Sequence, residues 1–519
     1  MRRERNGSAF RQRRRSVISV LKRNILANFV GKGWVALMNL AFVPLYIKYL
    51  GIEAYGLVGF NLTLNLFLFL LDMGLSATMN REMARRSGQP EKAQEARDLV
   101  RTLEVIYWPI ALVIALVIAG IAPWIAHAWI RTQHLSSATV QQAIVLMGLS
   151  TALQWPYSFY EGGLLGLERQ VLVNGITAGF ATLRGAGAVC VLALVAPTVQ
   201  AFFVWQGLNS ALMTLTVWAC FHYSLPKTGR PARFDRNLLR ETWQFAAGMT
   251  GISLVSLVLT QADKIVLSKL LTLEYFGYYT LASNVAGAIG YGVTPFFAAL
   301  FPRFTKVVAQ RDSAALGVLY HGSCQMLSII VLPAALLVAI FSRELLLLWT
   351  RDPGVAAHTH LLVTLLVIGT ACNAVMNVPY ALQLAYGNTR IAFWCNVVAI
   401  LLLIPLLLWL ARRYGAVGGA IVWLILNSGY VLVGIPVFHR YYLRGEMWRW
   451  YCDDVGAPLL AALAIIGMSR WWIGETLPPP LLLLSLMGAL LPAIGAAALA
   501  APQIRERLLQ RLVRARSLA

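Results

Sequence analysis

The strongest constraint on this sequence is a series of uninterrupted apolar segments, each long enough for a helix to cross a lipid bilayer. A transmembrane helix needs about 20 mostly apolar residues. The clearest segments contain at most one charged residue and are Val105–Trp129, Val140–Leu165, Ala201–Tyr223 and Leu481–Ala501. A transmembrane β-barrel would instead show strands of about ten residues with alternating polarity. The sequence therefore predicts an all-α, polytopic membrane protein.

The composition agrees with this interpretation. Apolar residues make up 58% of the 519 residues and charged residues 13%, compared with about 45–50% and about 25% in soluble globular proteins. The mean hydropathy is +0.65. We predict about fourteen transmembrane helices, at residues 24–50, 56–80, 104–130, 140–165, 171–195, 199–223, 241–271, 275–300, 318–349, 358–386, 390–411, 416–442, 453–473 and 480–501.

Lysine and arginine residues are distributed unevenly between the two sides of this predicted topology. Nine lie within the first 23 residues and five lie after Gln503. If the N-terminus is cytoplasmic, 33 of the 44 lie in cytoplasmic segments and 6 lie on the other side. Cytoplasmic loops of membrane proteins carry such an excess. We therefore expect both termini in the cytoplasm, and we expect the net charge of +22 to meet anionic membrane lipids and not nucleic acid.

A nine-residue repeat suggests that the chain has two related halves. The segments Lys48–Gly56 and Lys269–Gly277 share Lys, Leu, Glu and Gly in register at an offset of 221 residues. Repeated halves around a substrate site are common in transporters, whereas the alternative is chance similarity between two helix ends. The predicted parts are a basic cytoplasmic tail (1–23), two pseudo-symmetric six-helix bundles (24–223 and 241–442) with a cytoplasmic linker (224–240) between them, two further helices (443–501) and a second basic cytoplasmic tail (502–519).

Charged residues within the predicted helices are the candidate functional groups, because a charge at the bilayer centre costs about 2.5–3.5 kcal/mol. They are Lys32, Asp72, Glu161, Arg184, Asp263 and Lys264. In the first helix, Asn28, Lys32 and Asn39 share one face at spacings of four and seven residues. A polar stripe on an otherwise apolar helix predicts an aqueous cleft, which we expect between the two halves.

We expect this cleft to be a cationic cavity that binds an anionic substrate group. The predicted substrate-binding residues are Lys32, Arg184, Lys264, Asn28 and Asn39, and the predicted coupling or gating residues are Asp72 and Asp263. Lysine offers phosphate a point charge and arginine a bidentate fork. Other interpretations stay open, since Arg184 can pair across a helix interface, Lys32 can extend to lipid headgroups and Asp72 can cap a turn.

Motifs for catalysis and cofactor binding are absent from the sequence. It contains no GxxxxGK[ST] phosphate-binding loop, no GxSxG nucleophile motif and no HExxH metal motif. The six cysteines are scattered singly, without metal-ligand or redox spacing. We therefore expect no enzymatic activity, no cofactor and no bound metal.

Short motifs are concentrated between Asn28 and Arg81. They are Pro44-Leu45-Tyr46-Ile47, Tyr49-Leu50-Gly51 with Tyr55-Gly56, Leu71-Asp72-Met73-Gly74-Leu75 and Asn80-Arg81, with Asp263-Lys264 further along the chain. In these motifs the chain resembles the polysaccharide transporter or oligosaccharide flippase family of the multidrug/oligosaccharidyl-lipid/polysaccharide exporter superfamily. The resemblance covers the first twelve helices in plan and is most specific in the first 80 residues.

This resemblance implies two six-helix bundles around a central cavity that opens alternately to the two sides of the membrane. It implies a flippase that moves undecaprenyl-diphosphate-linked oligosaccharide across the bacterial inner membrane for O-antigen, exopolysaccharide or capsule biosynthesis. The implied partners are the lipid-linked oligosaccharide and other polysaccharide assembly proteins. In some relatives the two additional helices help to hold the lipid tail.

Two other functions are compatible with a polytopic chain. A cation-coupled multidrug exporter has the same fold, but an exporter of cationic drugs would favour an acidic cavity, whereas the substrate-binding charges predicted here, Lys32, Arg184 and Lys264, are basic. A membrane-embedded glycan polymerase or ligase would usually carry a sizeable outer loop with catalytic residues, and the outer loops predicted here are short.

Overall fold

The computed structural model describes residues 28, 30–71, 74–87, 89–240, 261–387, 390–473 and 477–516. Across these residues the chain is helical and contains no β-strand. Ten of the described helices are long and apolar enough to span a membrane. The predicted all-α, multi-span membrane fold is therefore confirmed, whereas the number fourteen and the division into six, six and two helices stay predictions. The chain forms two compact units, Met1–Leu257 and Val258–Ala519.

The longer described helices of the first unit are α1 (Val30–Leu50), α2 (Ile52–Leu71), α3 (Leu75–Ser87), α4 (Ala93–Trp129), α5 (Ser137–Gly166), α6 (Gln170–Leu194) and α7 (Val199–Ser224). The predicted helix 56–80 is thus two helices in the structure. Gly74 lies between them with φ of 70°, a left-handed backbone conformation that glycine adopts without a steric cost. Asp72, a predicted coupling residue, lies outside the described residues.

Glycines bring the backbones of α3 and α5 into close contact. A Cβ atom at Gly162 would lie 2.4 Å from the backbone carbonyl oxygen of Ser76, and one at Gly166 would lie 2.4 Å from that of Asn80. Small residues at this spacing let membrane helices approach closely and gain van der Waals contact. The Asn80-Arg81 motif is therefore held against the end of α5 by a surface that has no room for a side chain.

Replacing Gly166 by valine should destabilise the first unit strongly. The new side chain would overlap backbone atoms that cannot move away like a flexible side chain, and overpacking of this kind costs about 1–3 kcal/mol or more. Thermal unfolding of the detergent-solubilised protein measures the loss. Gly175→Val in α6 is the matched control, because a Cβ atom there meets no atom within 4 Å. Equal melting temperatures for the two variants would contradict the close packing of α3 and α5.

The described helices of the second unit are α8 (261–270), α9 (Leu273–Gln310), α10 (Ser313–Ile340), α11 (Ser342–Thr350), α12 (Pro353–Ala385), α13 (Arg390–Tyr414), α14 (Ala416–Tyr442), α15 (Met447–Trp472), α16 (Pro479–Ala500) and α17 (Pro502–Arg516). The predicted helix 318–349 is interrupted at Phe341, which leaves helical geometry with φ of −108° and ψ of 28°.

Side-chain caps define where several of these helices begin. The Asp312 carboxylate accepts a hydrogen bond from the backbone N–H of Ala315 at the start of α10. Asp352 does the same for Gly354 and Val355 at the start of α12, directly before Pro353. Each cap satisfies amide groups that the first helical turn leaves without a partner, so the sequence itself specifies these helix starts.

Helices α15 and α16 pack against each other and against α10. Their shared apolar core consists of buried aliphatic side chains, among them Ile329, Leu337, Ala462, Ile466, Leu486, Ala489 and Ala493. An ion pair between Glu344 of α11 and Arg470 of α15 lies beside this core, and the guanidinium carbon of Arg470 is 5.4 Å from the centre of the Phe341 ring. The last two predicted membrane helices are therefore an integral part of the second unit.

Candidate functional site

The facing sides of α1 and α6 carry three of the predicted substrate-binding residues, and helical periodicity places Lys32 on the same face of α1. The Asn174 side chain donates a hydrogen bond to the Asn28 side chain over 2.5 Å, and the Arg184 guanidinium donates one to the side chain of Asn39. A third bond, of 2.8 Å, runs from the Trp34 indole to the Thr182 hydroxyl. We call this set the α1–α6 seam, which comprises Asn28, Lys32, Trp34, Asn39, Asn174, Thr182 and Arg184.

Glycines allow the two helices of the seam to meet. A Cβ atom at Gly31 would lie 2.7 Å from the side-chain oxygen of Asn174, and one at Gly185 would lie 2.0 Å from the Phe42 ring. The small residues around Arg184 therefore permit close packing, as one interpretation of the sequence proposed. Arg184 pairs across this helix interface with Asn39, and its backbone carbonyl accepts a 3.2 Å hydrogen bond from the Trp205 indole.

Lys32 lies exposed on α1, and a carboxylate from α5 is close enough to interact with its charge. This carboxylate belongs to Glu161, which is also hydrogen-bonded to the Tyr157 hydroxyl. The Tyr157 hydroxyl in turn lies 3.0 Å from the Thr177 hydroxyl of α6. The seam and its surroundings thus contain two cations, Lys32 and Arg184, and one partly compensating carboxylate.

The spacing along α1 separates the two cations. Asn39, the partner of Arg184, follows Lys32 by seven residues, which corresponds to roughly 10 Å of helix rise. A groove of about 400 Å³ lies beside the seam and is lined by Val30, Gly31, Trp34, Asn174, Gly175 and Thr182, among others. The arrangement offers an ammonium group, a guanidinium group and several amides along one elongated surface. Such a surface suits a ligand that has an anionic group and many hydroxyls.

The second unit holds the other predicted site residues, Asp263 and Lys264, on α8. The Tyr279 hydroxyl of α9 donates a 2.5 Å hydrogen bond to the Asp263 carboxylate, and the Lys264 ammonium lies 3.7 Å from the same oxygen. Among the described residues, the other Asp263 oxygen is buried without a hydrogen-bond partner. A small cavity of about 30 Å³ beside Asp263 has room for one water molecule or a small cation.

The second unit also contains a buried polar network that was not predicted from the sequence. Its members are His321 and Gln325 of α10, Asp454 of α15 and Glu446 of the connection before α15. His321 and Asp454 are fully buried, and the His321 Nδ1 atom lies 2.5 Å from the Asp454 carboxylate. Gln325 donates a 3.0 Å hydrogen bond to the other carboxylate oxygen. On the far side of the imidazole, the Nε2 atom lies 3.2 Å from the Glu446 carboxylate.

This network connects α10 to the C-terminal helices. The Gln325 side-chain oxygen accepts a 3.0 Å hydrogen bond from the backbone N–H of Gln503, in the first turn of α17. Asp454 lies in a π-helical turn, Trp450–Gly456, which turns its carboxylate toward α10. A signal was present in the sequence, because His321 and Gln325 are polar residues four apart on an apolar helix, like the stripe in the first helix.

Comparison with known proteins identifies the family. The model of the family described as "Polysaccharide biosynthesis protein" matches residues 21–308. A putative O-antigen transporter from Shigella flexneri is 20% identical over 409 residues, which cover 79% of this chain and 95% of the relative. The lipopolysaccharide biosynthesis protein WzxC from Escherichia coli strain K12 is 27% identical over 267 residues, which cover 50% of this chain and 53% of the relative.

Solved structures share the fold. The lipid II flippase MurJ in an inward closed conformation matches with a TM-score of 0.67 at 12% identity, covering 91% of this chain and 97% of MurJ. An inward-facing multidrug resistance transporter of the MATE family matches with a TM-score of 0.64 at 13% identity, covering 80% of this chain and 95% of that protein. These matches show that this chain shares the fold of the two transporters. Because the family model matches more than half of the chain, the chain belongs to the polysaccharide biosynthesis protein family.

Proposed function

We propose that this protein is a flippase that moves undecaprenyl-diphosphate-linked oligosaccharide across the bacterial inner membrane by alternating access, for O-antigen, exopolysaccharide or capsule biosynthesis. The family match over residues 21–308 carries the proposal. The curated relatives, a putative O-antigen transporter and a lipopolysaccharide biosynthesis protein, support the substrate class. The proposal includes both termini in the cytoplasm and contacts with other polysaccharide assembly proteins.

The α1–α6 seam supports a role for the first unit in binding the substrate. In this proposal the diphosphate contacts Arg184 or Lys32, and the sugar hydroxyls contact the amides of Asn28 and Asn39. A guanidinium group can bind two phosphate oxygens at once, and an ammonium group adds a flexible point charge. We assign Lys264 a further substrate-binding role, and Asp72 and Asp263 a role in coupling or gating.

The function can be tested by complementation. The chain is expressed in a bacterial strain that lacks its own oligosaccharide flippase and makes the lipid-linked glycan of the organism from which the chain comes. We expect surface polysaccharide to return, and we expect the lipid-linked glycan no longer to accumulate on the cytoplasmic leaflet. Continued accumulation there, with the protein present in the membrane, would contradict the proposal.

The same strains separate the alternative functions. A multidrug exporter would change the susceptibility of the cells to cationic drugs without restoring the surface glycan. Loss of a polymerase or ligase would leave lipid-linked glycan on the outer leaflet, whereas loss of a flippase would leave it on the cytoplasmic leaflet. We expect unchanged drug susceptibility and cytoplasmic accumulation.

A further inference from the structure

A second groove of the first unit lies between α4 and α7, apart from the α1–α6 seam. Its volume is about 520 Å³. We call it the α4–α7 groove, and the lining residues that matter here are Arg97, Arg101, Glu104, Trp108, Trp218 and His222. A volume of this size is typical of pockets that hold small molecules and cofactors.

The floor of the groove is a fixed polar network. Glu104 is buried and accepts a 2.9 Å hydrogen bond from the Tyr160 hydroxyl of α5. The His222 Nε2 atom lies 3.3 Å from the same carboxylate oxygen, and the Trp108 indole donates a 3.1 Å hydrogen bond to the Tyr160 hydroxyl. Because these groups satisfy one another's hydrogen bonds, they hold α4 and α7 at a fixed spacing and leave the Glu104 carboxylate with hydrogen-bonding partners.

A loop closes one end of the groove. The backbone N–H of Arg233 donates a 2.7 Å hydrogen bond to Asp98, and the backbone N–H of Asp235 donates a 2.9 Å bond to the Thr102 hydroxyl. These bonds hold residues 231–235 along the first turns of α4, so that Ala232 lines the groove. The opposite end continues along the apolar part of α4, where the Trp108 side chain is 38% exposed and Trp218 of α7 is 40% exposed.

The end of the groove beside this loop carries positive charge. Arg97 and Arg101 lie one turn apart on α4, and neither forms an ion pair with another residue in the part of the chain that the structure describes. They precede the long apolar stretch of α4, which can span a membrane. The distribution of lysine and arginine predicts that this end is cytoplasmic. Basic pockets between transmembrane helices on that side suit anionic lipid headgroups, and tryptophan is enriched at the same interfacial level.

The second unit shows what covers the corresponding surface there. Phe221-His222 near the end of α7 recurs as Phe438-His439 near the end of α14, at an offset of 217 residues. In the second unit His439 lies beside Trp450 of α15, with ring centroids 6.4 Å apart, and Trp450 is fully buried. Among the described residues of the first unit, no helix occupies the equivalent position over His222. The α4–α7 groove therefore corresponds to the surface of the second unit that α15 covers.

We propose that the α4–α7 groove binds one anionic phospholipid of the cytoplasmic leaflet, with its phosphate on Arg97 and Arg101 and its acyl chains along Trp108 and Trp218. The guanidinium forks match phosphate oxygens, and the indole rings supply an apolar wall at the depth of the first methylene groups. The lipid does for the first unit what α15 does for the second. This site is separate from the residues assigned to the transported substrate.

Native mass spectrometry of the full-length protein, with phosphatidylglycerol or phosphatidylcholine added in detergent, tests the site. We expect the protein to retain phosphatidylglycerol about tenfold or more tightly than phosphatidylcholine. Each arginine near the membrane surface increases the affinity for an anionic lipid. Arg97→Gln with Arg101→Gln should remove this preference. Arg85→Gln with Arg303→Gln is the matched control, since it removes two exposed arginines that lie outside the groove.

A second variant tests the shape of the site without changing its charge. Ala232→Trp fills the groove from the exposed loop and keeps both arginines, so it should also lose the bound phosphatidylglycerol. The proposal would be overturned if either groove variant retained phosphatidylglycerol as tightly as the Arg85/Arg303 control does. It would also be overturned if the groove and control variants lost phosphatidylglycerol equally. Displacement of phosphatidylglycerol by soluble glycerol 3-phosphate at similar concentration would also overturn it, because it would indicate a site for a free phosphate.

Discussion

Replacing Lys32 and Arg184 together by alanine should reduce surface polysaccharide in the complemented strain by at least about a hundredfold. A hydrogen bond to a charged group contributes about 1.5–3 kcal/mol, and every 1.4 kcal/mol corresponds to about a factor of ten in affinity. Both side chains lie on the α1–α6 seam, about two helical turns apart. Each substitution therefore removes a separate contact with the substrate. Each single variant should lose about tenfold, and the double variant should lose about the product of the two.

Matched variants separate a role in binding from a role in folding. Lys48→Ala removes an exposed lysine from the same helix, and Arg169→Ala removes an exposed arginine at the start of α6. We expect both control variants to transport normally. Arg184→Lys keeps the charge without the fork and should fall between the wild type and Arg184→Ala. Full surface polysaccharide from the Lys32/Arg184 double variant, at equal protein in the membrane, would rule out the cationic seam as a binding surface.

Replacing His321 by leucine should lower the free energy of unfolding of the protein by about 3 kcal/mol or more. The change leaves the buried Asp454 carboxylate with Gln325 as its hydrogen-bond donor, and an uncompensated buried charge costs about 3–5 kcal/mol. The double variant His321→Leu with Asp454→Leu removes both members of the buried pair and should recover most of the loss, because a buried pair can be replaced by apolar groups with little net cost. Thermal unfolding in detergent measures the wild type, the two single variants and the double variant.

The neighbouring carboxylate provides the control for this cycle. Asp453→Asn changes a partly exposed residue that is not part of the buried network, so we expect a change in stability below about 0.5 kcal/mol. Strict additivity of the His321 and Asp454 substitutions would show that the two residues do not interact. We expect a strong favourable coupling energy between His321 and Asp454. This result would show that the network holds α15 and α17 against α10.

The sequence predicts the membrane class of this fold well, because apolar length is a local property. It predicts the stripe on α1 for the same reason, since Asn28, Lys32 and Asn39 are brought to one face by helical periodicity alone. It does not predict their partners. Asn174 and Arg184 lie about 145 residues further along the chain, and only helix packing determines which face of α6 meets α1.

Two features of the structure could not be predicted from the local sequence pattern. The interruption at Gly74 separates α2 from α3, although the apolar pattern continues through it. The His321 network depends on a π-helical turn in α15 that rotates Asp454 toward α10, and such a turn changes the face of a helix without changing its composition. A buried histidine and carboxylate more than a hundred residues apart carry no sign in the sequence that they meet.

The most direct test of the central claim is a flipping assay with purified protein in proteoliposomes that contain the undecaprenyl-diphosphate-linked oligosaccharide. A membrane-impermeant glycosidase added outside cleaves only the glycans in the outer leaflet. If the protein is the flippase, cleavage should proceed beyond the outer-leaflet pool toward the whole pool, and the Lys32/Arg184 double variant should slow this second phase. Cleavage that stops at the level of protein-free liposomes, with correctly folded protein and an imposed ion gradient, would contradict the account.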